Sequence, residues 1–213
     1  MANEDFNSKL LQNSELIASN EESANYPNAK YLGEEVNHQW SKSFEFETLF
    51  REYVSTYITP NITYFSLLRP IKEIKVVELF SKFEQYFPTF ASCNANFRRL
   101  GEAPGLRWCG ICPKCAFVFL LLSAFVPKDR LLTIFGSNLY AHESLLVTFR
   151  ELLGLTGVKP FECVGTPEEC RFALYKASET GQYDTDVVMQ MLRYELRHSW
   201  ENLPALREEL FSL

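Results

Sequence analysis

The sequence predicts a helix-rich α/β fold, with parallel strands in its first half and helices in its second. Three observations carry that expectation. Strand-like and helix-like segments alternate between Glu15 and Phe83, apolar residues recur at helical spacing after residue 110, and four of the six cysteines cluster where the two patterns meet. The meeting point divides the chain into a partial α/β sheet domain, residues 1–92, and a four-cysteine site with a helical subdomain, residues 93–213.

In chain order, a short helix is expected over Asp5–Leu11 and a strand over Glu15–Ala18. Residues 19–43 lack any apolar period, carry Pro27 and Gly33 and are dense in Asn, Ser, Glu and Lys, so they read as one long polar loop. Apolar residues at 46, 49, 50, 53, 54 and 57 mark one face of an amphipathic helix. Ile62–Leu67 is β-branched and aromatic, and Pro70 is placed to open the next helix as its first residue. Ile71, Ile74, Val77, Phe80 and Phe83 continue that helix. Further helices are expected over 113–126, 129–135, 141–153, 167–179, 184–198 and 201–211. The cleanest is 141–153, which Gly154 stops. The stretch 116–126 is apolar on every side and should be buried all round.

With 213 residues, 46% of them hydrophobic, the chain can bury an ordinary core. A formal charge of -6 offers no broad basic face, which argues against nucleic acid as a partner. The start shows no basic region followed by an apolar one, and the longest apolar run, Ala116–Val126, is far short of the roughly 20 residues that span a bilayer. The expectation is a cytosolic protein without a membrane span.

Cys93, Cys109, Cys112 and Cys115 form C-x15-C-x2-C-x2-C, the last three on a turn that runs into a helix. Such spacing lets three sulfurs converge at about 2.3 Å on one tetrahedral ion while the fourth closes the shell, which points to structural zinc. An iron–sulfur cluster uses the same ligands, and free thiols of a reduced cytosolic protein are the plainer alternative. Arg107 and Lys114 stand near enough in sequence to offset part of the thiolate charge. Cys163 reads either as a reactive thiol, a spare ligand or a small buried residue.

The polar loop offers Asn20, Glu21, Ser23, Asn25, Asn37, His38, Ser41 and Lys42. It follows a strand, and open α/β sheets bind ligands beyond the carboxyl ends of their strands. Amide, hydroxyl, imidazole and ammonium groups suit a polar ligand with phosphate or carboxylate groups; the plainer alternative is a solvated loop whose Asn and Ser cap turns. No Walker loop and no dinucleotide fingerprint occurs.

Several blocks resemble one bacterial enzyme family: Asn-Glu-Glu-Ser-Ala-Asn (20–25), Asn-His-Gln-Trp-Ser-Lys-Ser-Phe-Glu-Phe-Glu (37–47), Tyr-Phe-Ser-Leu-Leu-Arg-Pro-Ile-Lys-Glu (64–73), Ser-Cys-Asn (92–94), Arg-Trp-Cys-Gly-Ile-Cys-Pro-Lys-Cys-Ala-Phe (107–117) and Lys-Pro-Phe-Glu-Cys-Val-Gly-Thr (159–166). They look like the carboxy-terminal half of UDP-N-acetylmuramoyl-L-alanyl-L-glutamate epimerases. The four-cysteine pattern is similar to that of the more distant 7-cyano-7-deazaguanine synthases, where such cysteines hold zinc.

That resemblance implies a partial parallel sheet of the ATP-pyrophosphatase (adenine nucleotide hydrolase-like) type. It implies a UDP-linked muramoyl dipeptide as substrate and ATP-dependent inversion of its terminal L-glutamate. Among the polar residues it brings Arg69 to the substrate group Asn20, Glu21, Ser23, Asn25, Asn37 and Ser41; His38, Lys42 and Lys114 are nominated for proton transfer by polarity and position. Two departures stand out. Glu22 occupies a place where the family pattern has Arg, and the superfamily's Ser-Gly-Gly-x-Asp-Ser loop is not found upstream of residue 15. ATP and Mg are therefore expected only with a nucleotide-binding half supplied elsewhere, for which a second polypeptide is the candidate partner. The competing expectations are a catalytically inactive zinc-binding module for a ligand or protein, and a base-modifying ATP-dependent ligase.

Overall fold

The computed structural model describes residues 14–97, 107–200 and 203–211. The helix expected over Asp5–Leu11 lies outside the described residues. Strand β1 (Ser14–Ala18) pairs in parallel with β4 (Ile62–Ser66), in a register that runs from Ser14 opposite Ile62 to Ala18 opposite Ser66. Parallel neighbours need a crossover, and helix α1 (Phe44–Tyr53) lies on it, started by Ser43, whose Oγ accepts from the Phe46 N–H at 3.1 Å. The α-helix ends earlier than its apolar spacing predicts. A π-helical turn, Val54–Ile58, closed by the Thr59 N–H on the Val54 carbonyl, continues it and rotates the remaining apolar residues.

The segment 19–43 is not one open loop. It holds two 3-10 turns, Glu22–Asn25 and Trp40–Lys42, and an antiparallel hairpin of β2 (Ala29–Tyr31) and β3 (Glu34–Val36). Leu32 and Gly33 connect the hairpin, both with positive φ, at 51° and 89°. A two-residue hairpin connection demands that conformation, and leucine in place of the usual Asn or Asp hides the signal. Ser23, Ala24, Asn28 and Gln39 of this segment are buried.

Helix α2 (Glu73–Phe80) starts three residues later than Pro70 predicts. The Ile71 carbonyl is taken by the Glu22 N–H, and Lys72 is held extended as the cap. Then follow α3 (Pro113–Ser123), α4 (Lys128–Phe135), α5 (Leu146–Leu152), α6 (Pro167–Glu179), α7 (Val187–Leu196) and α8 (Leu203–Phe211). The helix expected over 141–153 begins with 3-10 turns, Leu139–Ala141 and Glu143–Leu145, and α7 is shorter at both ends than its pattern.

As expected, α3 is buried nearly all round, from Cys115 to Ser123, with only Val118 partly exposed. It packs mainly on α6 and α5. Phe119 meets Phe135 and Tyr140 edge-on, and the Tyr140 hydroxyl pairs with Ser123 Oγ at 2.9 Å. Glu169 of α6, fully buried, ties the halves together. Its carboxylate accepts from Ser23 Oγ and the Ile74 N–H, both at 2.9 Å, and from the Thr166 N–H at 2.7 Å. Among the described residues no helix is long and apolar enough to cross a membrane.

Candidate functional site

The four cysteines converge. Cys93 immediately precedes the 3-10 turn Asn94–Phe97; Cys109 and Cys112 flank Gly110, whose φ of 71° turns the chain back; and Cys115 lies in the first turn of α3. Their sulfurs all lie within 4.8 Å of one another. The separations are 3.4 Å for Cys112 and Cys115, 3.7 Å for Cys109 and Cys115, and 3.9 Å for Cys93 and Cys112. A tetrahedral ion with bonds of about 2.3 Å sets its ligand sulfurs about 3.8 Å apart, so the donor set fits one ion. A polynuclear iron–sulfur cluster would spread its ligands further.

All six cysteines are free. Cys112 accepts from the thiol and the backbone N–H of Cys115, which draws its own thiol down to about 4 and pushes the Cys115 thiol up by the same shared proton. A cation in that position would take over the work of the proton. Trp108 anchors the turn from outside, its ring packed between Phe90 and Phe135. Arg107 and Lys114 do not turn to the sulfurs in their hydrogen bonds: Arg107 Nη1 donates to the Phe87 carbonyl at 3.2 Å, and Lys114 Nζ to the carbonyl of Cys163.

A second cluster forms where the polar segment meets the loop before α6. Lys42, at the end of its 3-10 turn, directs Nζ to Cys163 Sγ at 3.2 Å. Lys114 reaches the Cys163 carbonyl and lies 3.6 Å from Glu73 at the start of α2. Although 22% of the Glu73 side chain remains exposed, loss of hydration pushes its carboxyl up to about 7, against the pull of Lys114. His38 is exposed and is held below its ordinary value by partial desolvation and the charges of Lys159 and Lys42. Lys42 and Lys114 thus meet at one residue. Cys163 and Glu73 join them, and neither carries a spacing signal in the sequence that would single it out.

The residues expected to bind substrate have varied surroundings. Arg69 donates to Glu47 Oε2 at 2.9 Å and to the carbonyls of Lys42 and Glu21 at 2.9 and 3.0 Å. Burial raises the Glu47 carboxyl, but bonds from Ser66 and Arg69 outweigh it and leave it lowered. Ser23 donates to Glu169; Asn25 Oδ1 accepts from the Phe44 N–H at 2.8 Å; Asn37 Nδ2 donates to the Ala24 carbonyl at 2.9 Å; and Asn20 Nδ2 donates to Ser66 Oγ at 3.1 Å. Glu22 pairs with Lys72 at 2.6 Å. Ser41 is exposed, and Glu21 lends only its backbone carbonyl to Arg69.

A parallel βαβ unit joined through a buried carboxylate to a helical body with a four-thiol centre defines a helix-rich α/β protein of the cysteine-site kind. Comparison with known proteins narrows this. The profile of the MurL C-terminal domain matches residues 89–206 and that of the MurL N-terminal domain residues 6–67, so the chain belongs to the MurL family. It is similar to the UDP-N-acetyl-alpha-D-muramoyl-L-alanyl-L-glutamate epimerase of Xanthomonas oryzae pv. oryzae, 43% identical over 176 residues that make up 83% of this chain and 39% of that protein. The epimerases of the same name from Micromonospora sp. and Salinispora tropica are 42% and 41% identical, each over 87% of this chain and 41% and 40% of theirs. The chain therefore spans about two fifths of the length of these curated relatives. No solved structure matches it.

Proposed function

We propose that this chain supplies the carboxy-terminal part of an ATP-dependent epimerase that inverts the terminal L-glutamate of UDP-N-acetylmuramoyl-L-alanyl-L-glutamate in peptidoglycan precursor synthesis. The observation that carries this reading is the 41–43% identity to epimerases of that name, which runs over more than four fifths of the chain. In the reaction, the glutamyl α-carboxylate displaces pyrophosphate from ATP and becomes an acyl adenylate. The adenylate acidifies the neighbouring Cα–H, a base takes that proton, and a proton returned to the opposite face inverts the centre. Water then cleaves the anhydride and AMP leaves.

His38, Lys42 and Lys114 are the proposed proton-handling groups, and the meeting of both lysines at Cys163 supports placing the glutamyl end there. Asn20, Glu21, Ser23, Asn25, Asn37, Ser41 and Arg69 shape the surrounding wall, several of them by holding the backbone rather than by facing outward. Zinc is the proposed ion of Cys93, Cys109, Cys112 and Cys115, where it pins the start of α3 to the loop after α2. ATP and Mg bind on a nucleotide-binding half of ATP-pyrophosphatase type, outside this chain. Support comes from β1: Leu16 and Ile17 point to opposite faces and are each 53% exposed, whereas parallel strands are covered on both faces. A nucleotide-linked substrate and a thiolate centre suit the reducing cytoplasm.

The test is pyrophosphate release from ATP together with conversion of the L- to the D-glutamyl dipeptide, read by chiral chromatography. The chain is assayed alone and with a polypeptide carrying the missing phosphate loop. Both products are expected only with the partner. A folded, metal-loaded chain that stays inert with every such partner overturns the reading in favour of a non-catalytic binding module.

A further inference from the structure

We infer that the cavity between the hairpin and the start of α6 is a binding subsite for a diphosphate ester. This rests on the substrate class proposed above and assigns a place to its nucleotide end. The cavity has a volume of about 460 Å³, within the range of small-ligand pockets, and is lined by Tyr26, Lys30, Gly157, Lys159, Glu168 and Arg171 among others.

Lys159 is the decisive residue. It is only 4% exposed, yet among the described residues no carboxylate lies within ion-pair distance of its ammonium. Among the described residues the ammonium makes one hydrogen bond, a long one of 3.4 Å to the Tyr26 carbonyl, with the Tyr26 ring 5.1 Å away on its flank. Glu169, Glu73 and the sulfurs of Cys170 and Cys163 act on it only from beyond contact distance, and a buried charge without a partner at contact is expensive and favours an anion that supplies one. Burial accordingly pushes the Lys159 ammonium below its ordinary value, which an anion would restore.

Two further cations face the same space. Arg171 is fixed by its Nε on the Leu153 carbonyl at 2.7 Å and has no ion pair among the described residues. Lys30 is at the rim, 4.0 Å from Glu35, and both side chains are largely exposed. Against these three stand Glu168 in the lining and Glu35 beside Lys30, which leaves the site net positive, the sign that an anionic diphosphate requires. Planar guanidinium beside ammonium is the donor pairing that phosphate oxygens favour. Gly157, with a φ of 75° and open space where a Cβ would stand, keeps the approach clear.

The position agrees with the chemistry of a long substrate. Lys159 and Cys163 lie four residues apart on one segment, a reach of at most about 14 Å. A sugar, its lactyl link and one alanyl residue separate diphosphate from glutamate in the dipeptide, a span of the same order. His38 feels the charges of both Lys159 and Lys42, one from each end.

The experiment is equilibrium binding to the 213-residue chain by calorimetry, with UDP, a UDP-sugar, ATP, inorganic pyrophosphate and, as a control anion, sulfate. The proteins are wild type, Lys159→Met and Arg171→Gln, each checked for fold by circular dichroism. Expected is binding of UDP and the UDP-sugar that weakens about tenfold or more in each variant, as loss of one charge-assisted bond implies. Preference for ATP or free pyrophosphate over both uridine ligands would overturn the assignment to the substrate's nucleotide end. Equal affinity of wild type and Lys159→Met, or no phosphate ligand bound at millimolar concentration, would overturn the subsite altogether. Should Lys159→Met misfold, Arg171→Gln decides alone. Lys159-dependent UDP binding without epimerisation in the reconstituted assay would sink the proposed function and leave the subsite standing. An active reconstituted enzyme whose KM for the dipeptide ignores both variants would do the reverse.

Discussion

The helical body and the β1–β4 sheet with its crossover helix α1 both carry large apolar side chains, and they use them in opposite ways. In α3, Phe117, Phe119, Leu120 and Leu121 are wholly buried, whereas in β1 and α1 Leu16, Ile17, Phe44, Leu49 and Tyr53 are each at least half exposed. The hydrophobic effect rewards only surface that is removed from water. The body is therefore stabilised by its own packing, while the sheet displays a surface suited to being covered. The lesson is that apolar periodicity locates faces and says nothing about whether the partner of a face is in the same chain.

The largest expected difference concerns the sulfur centre, which belongs to the body. Chelation of the ion, or Cys112→Ser, should lower the melting temperature by about 10 °C or more, since a structural ion contributes several kcal/mol and 1 kcal/mol shifts a chain of this size by about 2–4 °C. Elemental analysis should give one equivalent of metal in the wild type and a loss in the variant. An unchanged melting curve after complete removal would mean that α3 is held by packing alone.

Next comes the seam between the regions. A Cβ on Gly165 would stand 2.7 Å from Glu169 Oε2 and 3.2 Å from Phe117 Cζ. The carboxylate cannot swing away without abandoning Ser23, Ile74 and Thr166. Gly165→Ala should therefore cost about 2–3 kcal/mol in denaturant unfolding. Because Glu169 binds both regions, the loss should come with earlier exposure of the hairpin to limited proteolysis; a loss confined to the body would show that the seam is weaker than its bonds indicate.

How far all this could be read in the sequence depended on the same contrast. Cys93, Cys109, Cys112 and Cys115 were legible because ligand spacing is a local property, and β1, β4, α3 and α6 because their patterns match their environment or their caps. The hairpin was not, since Leu32-Gly33 lacks the usual turn residues. Glu73 and Lys159 were equally hidden, and Cys163 was open to three readings: each gains its character from groups more than 30 residues away in the chain, such as Lys114 beside Glu73 and Lys42 beside Cys163. Arg69 and Ser23 were named as substrate contacts from residue type and family likeness, and their bonds to Glu47 and Glu169 are tertiary facts that spacing does not encode.

Glu73 offers a titration across the seam. Its folded value of about 7 lies above the ordinary carboxylate value of 4.5, so the protonated form is favoured in the fold. The sign follows from linkage: the contribution is fully present below pH 4.5 and is lost as pH rises towards and through 7. Glu73→Gln, which stays neutral, should match the wild type near pH 5 and exceed its stability at pH 8. If the variant is instead the weaker protein at pH 8, the ion pair with Lys114 outweighs desolvation and the sheet side of the cluster is better solvated than its packing implies.

The smallest effect is expected in β1, and it tests the comparison most directly. Ile17→Ala removes a side chain that is already 53% exposed, so its loss should change unfolding free energy by about 0.5 kcal/mol or less, against roughly 3–5 kcal/mol for Phe119→Ala in the body. Both are measured by urea unfolding under one set of conditions, at several protein concentrations. A cost for Ile17→Ala that approaches that of Phe119→Ala and grows with concentration would mean that a second copy already covers β1 in solution. A small, concentration-independent cost leaves the strand waiting for another partner, and the same variant should then weaken assembly with a polypeptide that brings the neighbouring strand.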